Sequence, residues 1–229
     1  MPRDDGFHMP FTYDAIATAV AAHGLAVRGG FTATNGDGVP ECSPGRPATS
    51  VLMIGNTGRG MWDAFAATES RGPDPLDDWT REVISPIAAI FGATAIYPFD
   101  QPPFPFQRWA QRGWPLFYSP LGLLIDNEFG LWHALRAALL FPDPLLLPAL
   151  PAQTSPCESC VAKPCLVACP IDAFSASGFD YQGCRDYLHS PASQPCRDQG
   201  CGARNACPVG ARHRYPDAQV HFHMRAFRR

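Results

Sequence analysis

No stretch of this chain approaches the roughly 18 consecutive apolar residues that a bilayer-spanning helix needs. Its opening residues, MPRDDGFHMPFTYD, hold no apolar signal-peptide core. These two absences predict a cytoplasmic protein without membrane contact. An excess of one charge is missing too: 18 Lys and Arg stand against 21 Asp and Glu, a formal net charge of −3. That balance offers no global attraction to nucleic acid, and argues against such a partner. The only glycine-rich turn of note, GNTGRG at 55–60, runs GxxGxG rather than GxGxxG and has no lysine of the phosphate-loop kind. Residues 1–150 contain a single cysteine, Cys42, in the loop-like stretch PECSPG, where an inert thiol is expected.

What is present is a foldable composition. With 46% hydrophobic and 17% charged residues the chain can bury a core, and its 25 prolines among 229 residues, about twice the usual ~5%, read as rigid loops. TYDAIATAVAAHG reads as a helix with Thr12 as N-cap and Gly24 at its end. LAVRGGFTAT and SVLMI (50–54) read as strands, the second ended by GNTGRG and followed by a helix from Met61 to about Thr68. DPLDDWTREVISPIAAIFGA is helical, with a kink expected at Pro86. ATAIYPF reads as a strand, FPFQRWAQRG as a helix and GLLID (122–126) as a strand. LWHALRAALLF (131–141) favours helix by propensity. The alternation implies an α/β layer architecture. A proline-rich boundary at 141–156 separates residues 1–150 from a second domain, 151–210, and a basic tail, 211–229.

Eight of the nine cysteines fall in the 51 residues from Cys157 to Cys207. In a reducing compartment such density points to metal more than to disulfides. The first group, Cys157, Cys160, Cys165 and Cys169, reads C-x2-C-x4-C-x3-C-P. The second, Cys184, Cys196, Cys201 and Cys207, reads C-x11-C-x4-C-x5-C-P. Iron–sulfur proteins with two clusters use C-x2-C-x2-C-x3-C-P, whose last cysteine ligates the other cluster. Two [4Fe–4S] clusters with crossed ligation follow: Cys157, Cys160 and Cys165 with Cys207, and Cys184, Cys196 and Cys201 with Cys169. Structural zinc would accept C-x2-C but has no need of the Cys-Pro endings. So few aliphatic residues accompany these cysteines that cluster assembly is expected to form part of folding.

Three stretches resemble the corrinoid-dependent iron–sulfur reductases of the epoxyqueuosine reductase type. LLIDNEFGLW (123–132) is similar to the family's strand–turn–strand before its cluster domain. GCRDYLHS resembles the surroundings of its fifth cysteine. YPFDQPPFPFQRWAQRGW (97–114) resembles a segment whose aspartate is the family's proposed proton donor, a match to Asp100. The resemblance implies a nitroreductase-like mixed-sheet domain followed by a ferredoxin-like two-cluster domain, with base-off cobalamin between them, and it makes 131–141 a strand. The family's Gly-Leu-Gly-Trp-Ile-Gly-Lys-Asn segment is replaced here by WPLFYSPLG, and its C-terminal tRNA-binding repeats have no counterpart.

The expected function is therefore reductive: electrons from a redox donor (flavodoxin, ferredoxin or a reductase) pass through two clusters to a cofactor, cobalamin or alternatively flavin, that acts on a small-molecule substrate. A ferredoxin-type relay without chemistry of its own is the rival. Gly55, Asn56, Thr57 and Gly58 read as a plain tight turn or, alternatively, as backbone donors to a cofactor phosphate, and Tyr118, with the other aromatics of 97–118, as core or as pocket lining for a flat macrocycle. No D-x-H-x-x-G supplies a lower histidine ligand to a corrin. The tail, with five arginines and three histidines in 211–229, reads as solvated and basic, with docking to an acidic partner as the sharper alternative.

Overall fold

The computed structural model describes residues 12–69, 72–175 and 178–229; the reading of residues 1–11 as lacking a signal core lies outside them. Helix α1 (Tyr13–Ala21) begins at Thr12, whose hydroxyl accepts the Ala15 N–H at 3.2 Å, and it buries Ile16 and Val20. Strands β1 (Ala26–Thr32) and β2 (Ser50–Thr57) follow, then helices α2 (Gly60–Ala66) and α3 (Pro75–Ile90). Asp77 and Asp78 in the first turn of α3 complement the helix dipole, and the helix continues through Pro86. Next come β3 (Thr94–Ile96), α4 (Phe106–Gly113), the short ribbon β4 (Phe117–Tyr118) and β5 (Leu124–Ile125), and β6 (His133–Phe141).

The main sheet has the order β1-β2-β6-β3, every pairing antiparallel. Both of its faces are covered. Leu52 and Ile54 of β2 and Ala137, Leu139 and Phe141 of β6 join α1, α2 and α3 in one core. Val51 and Met53, with Ala138 and Leu140, join α4 in the other. A central strand buried on both faces reads as a continuous apolar run. This is why HALRAALLF is a strand despite its helix-forming residues: two layers bury alternate side chains, whereas a helix would bury one stripe. Among the described residues, no helix is long and apolar enough to cross a membrane.

Two expectations need correction. Strand β2 runs through Gly55, Asn56 and Thr57, which pair with Leu135, Ala134 and His133 of β6 instead of forming a loop. Only Gly58 and Arg59 remain as the turn into α2. The tail, moreover, is no solvated appendage. Residues 217–228 form a helix whose Phe222 packs on Trp62 and Phe65, at centroid distances of 5.4 and 5.3 Å.

Residues 144–155 carry no regular structure. Beyond them the chain forms short elements: α5 (Pro156–Ser159), α6 (Pro164–Val167), the strands β7 (Phe174–Ser175) and β8 (Gly178–Phe179), α7 (Tyr181–Leu188), α8 (Gln194–Gln199) and α9 (Gly202–Asn205). The tail helix is then α10 (Asp217–Arg228). Their shared core holds Cys165, Ala203 and Cys207 together with Leu121, Ile125 and Leu131 of the first part. The cysteine segment thus folds against the β4–β5 ribbon and the turn after it.

Candidate redox site

The turn that carries the cysteine segment is LLIDNEFGLW. Asp126 organises it: one carboxylate oxygen accepts the N–H groups of Glu128 and Phe129 at 2.7 and 2.8 Å. The other accepts from Arg28 at 2.7 Å and from the Trp114 indole at 3.1 Å. Burial alone would raise the Asp126 pKa, but the Phe129 N–H, the Arg28 charge and the Glu128 N–H together hold it below the usual carboxylate range. At the tip Gly130 has φ +58°, and a Cβ there would lie 2.0 Å from the Val209 carbonyl. Only glycine lets this turn meet the backbone just beyond Cys207-Pro208.

Around this contact the thiols fall into two groups. The Cys157 and Cys165 pKa values are raised, first by burial and then by Cys207 and by neighbours within 157–165. Cys207 is raised by burial and by Cys160, against the Val209 N–H. In the other group burial, then Cys201, Cys169 and Cys196, push Cys184 up to about 11. Cys201 is likewise raised by burial and by Cys196 and Cys169, opposed by the N–H groups of Arg204 and Ala203. Cys157 and Cys165 thus feel the charge of Cys207, and Cys184 and Cys201 that of Cys169. Lys163, whose φ of +41° curls the loop before Cys165, donates to the Cys157 carbonyl. Yet no three His, Cys, Asp or Glu side chains among the described residues converge on a single-ion site. Cys42 lies apart, packed beside α4's core, its pKa raised by burial.

A cavity of about 590 Å³ opens at the seam between the sheet, the cysteine segment and α10. Its walls include Leu131 and Arg204, one in the cysteine core and the other three residues past Cys201. His133 and Arg136 reach it from β6, Tyr215 and His223 from the chain around α10. Burial lowers the pKa of both histidines to about 4, leaving neutral imidazoles at neutral pH; Arg28 adds to the effect at His133, Arg136 and Arg204 at His223. A larger hollow of about 780 Å³ over α3, among Glu69, Asp78, Arg81 and Glu82, touches no cysteine.

Asp100 and Tyr118 are not among the residues lining the seam cavity. Asp100 closes its own turn, one oxygen accepting the Tyr97 N–H at 2.7 Å and the other pairing with Arg81 at 2.8 Å. Tyr118 is exposed and borders a shallow hollow with Cys157 and Lys163. Of the turn residues, Gly55, Asn56 and Thr57 have their backbone in the sheet and the Gly58 N–H donates to the Trp132 carbonyl, so they offer no row of free donors. Asn56 contributes by its side chain, which is fully buried between the Tyr215 hydroxyl (3.1 Å) and Arg136 Nε (3.0 Å). Sequence reasoning missed Arg136, Arg204, Tyr215 and His133. The one available signal was a charged residue within an apolar strand.

This architecture defines a class: a mixed α/β domain with an antiparallel sheet, carrying a cysteine-rich appendage. No family model and no curated protein matches the chain. Solved structures show the likeness. Epoxyqueuosine reductase bound to an epoxyqueuosine-modified tRNA stem loop aligns with a TM-score of 0.55 at 15% identity, over 92% of this chain and 68% of that one. Epoxyqueuosine reductase from Bacillus subtilis aligns with a TM-score of 0.47 at 16% identity, over 74% of this chain and 51% of that one. A B12-trafficking protein from C. elegans aligns at 0.44 and 14% identity, over 94% and 95%. The chain shares the fold of the first of these and spans about half to two thirds of the reductases' length.

Proposed function

We propose that this chain is an iron–sulfur reductase that delivers electrons to a ligand bound in the seam pocket. The observation that supports the reading is the run of eight cysteines with two Cys-Pro endings, in which Cys157 and Cys165 feel the charge of Cys207, and Cys184 and Cys201 that of Cys169. Cys157, Cys160, Cys165 and Cys207 would hold one [4Fe–4S] cluster, and Cys169, Cys184, Cys196 and Cys201 the other. Bound clusters supply one-electron transfer at potentials set by their surroundings. The chain's own part is to keep the thiolates in place and to shield them with Leu121, Ile125 and Leu131. It also sets Leu131 and Arg204 as the wall shared by cysteine segment and pocket. Val161 and Val167, exposed beside Cys160 and near Cys169, offer an apolar face to a protein donor.

The sequence resemblance makes cobalamin the first cofactor to test and flavin the second. At about 590 Å³ the pocket holds a ligand of flavin size but does not enclose a whole corrinoid, most of which would have to lie outside it. A protein of this fold takes a tRNA stem loop, so a net charge of −3 gives no ground for excluding a nucleic-acid substrate. The test is spectral. Anaerobic protein loaded with iron and sulfide is reduced and titrated with hydroxocobalamin, then with flavin mononucleotide. A saturable shift of one cofactor's bands, with loss of the reduced cluster signal, is expected. Unchanged spectra with both, in protein of full iron content, would reduce the chain to a relay.

A further inference from the structure

The register of β2 against β6 contains one irregularity, and it falls at the seam. Ile54 pairs with Ala137, but Gly55 pairs with Leu135. Arg136 is the extra residue of a β-bulge, the device that re-aims a side chain next to a site. Gly55 makes room for it, since a Cβ there would lie 2.2 Å from the Ala134 carbonyl. The bulge leaves Arg136 lining the cavity.

There Arg136 is a cation that no carboxylate of the described residues contacts. Its Nε donates to Asn56 Oδ1 at 3.0 Å. Asp77, at the start of α3, is felt only through space; burial pulls the Arg136 pKa down, while Tyr215 and Asp77 oppose this. A half-buried guanidinium with no carboxylate beside it favours an anionic ligand. The Tyr215 hydroxyl accepts from Asn56 and keeps its own proton free to donate. Arg204 adds positive charge, although its donors are engaged by the Leu131 carbonyl and its plane lies over Trp132 and Tyr215, at 4.4 and 4.7 Å. Among the described residues no Asp or Glu lines the cavity, and the rest of its wall is largely apolar, with Phe106, Leu124, Leu131, Leu135 and Phe227.

We propose that the seam pocket is an anion site, taking a small molecule with an apolar body and a phosphate or carboxylate group held by Arg136 and Tyr215. This inference deepens the reductase reading by naming the ligand class of its pocket, yet binding can be measured without any electron transfer. Calorimetry on cluster-loaded protein, with phenyl phosphate and with benzoate as probes, separates the two anionic groups. One-to-one binding of at least one probe is expected, with benzyl alcohol inert. Arg136→Gln should weaken binding about tenfold to a hundredfold, as loss of charged hydrogen bonds does. Arg136→Lys should recover part of it, and Arg225→Gln, on the exposed side of α10, should change nothing. Iron content and thermal unfolding report whether each variant is intact. If Arg136→Gln does not fold, Tyr215→Phe carries the test, with a loss of about threefold to tenfold. Absence of heat with both anions up to about 10 mM, or unchanged affinity in an intact Arg136 or Tyr215 variant, overturns the anion site. Neither outcome depends on whether the protein passes electrons.

Discussion

Asp100 shows how much a single side chain's surroundings decide. The resemblance of YPFDQPPFPFQRW makes it a proton donor, but its two oxygens are occupied by the Tyr97 N–H and by Arg81, whose guanidinium also covers the Tyr97 ring at 4.4 Å. The pair is partly open to solvent, at 51% and 25% side-chain exposure. Asp100→Asn should therefore cost at most about 1 kcal/mol of stability and leave turnover near that of the wild type. A 10²- to 10⁴-fold fall in turnover with cofactor binding intact, the range of general-acid catalysis, would return the donor role to Asp100. Gly55 makes the opposite point. It stands out in the sequence as part of a glycine-rich turn, and its work is to admit the bulge that turns Arg136 toward the seam.

At the scale of elements, α10 changes most between sequence and structure. It ties the two parts together: Phe222 enters the core beside α2, while His221 meets the Asp198 carbonyl at 2.5 Å and Phe227 packs on Tyr181 at 5.5 Å. Phe222→Ala should lower the stability of cluster-loaded protein by about 2 kcal/mol or more, through lost burial and a residual cavity. An unchanged denaturation midpoint would mean a loosely attached tail after all. The sequence made α1 and its Thr12 cap legible, together with α3 and its acidic first turn, because helical period and capping chemistry are local. For β6 local propensity pointed the wrong way, since burial on both faces is a property of the assembled layers. The same holds for the seam. His133, Arg136, Arg204 and His223 come from three separated segments, and nothing local marks them as neighbours.

At the scale of the whole molecule, the proposed function exchanges one cysteine between the two groups. With Cys207 beside Cys157 and Cys165, and Cys169 beside Cys184 and Cys201, each Cys-Pro ending would staple the halves of a segment with little apolar core of its own. The neighbouring Val209 and Gly210 then lock against Phe129 and Gly130, which fixes the cysteine segment on the turn leading into β6 and the seam pocket. Iron binding, crossed ligation and pocket geometry are in this account one cooperative arrangement. The most direct measurement is anaerobic iron and sulfide analysis of fully loaded protein, beside Cys207→Ser. The account predicts about eight iron and eight sulfide per wild-type chain, and about four of each in the variant, with the remaining cluster held by Cys169, Cys184, Cys196 and Cys201. Stoichiometric zinc, about four irons in the wild type, or a Cys207→Ser variant that keeps all eight would contradict it.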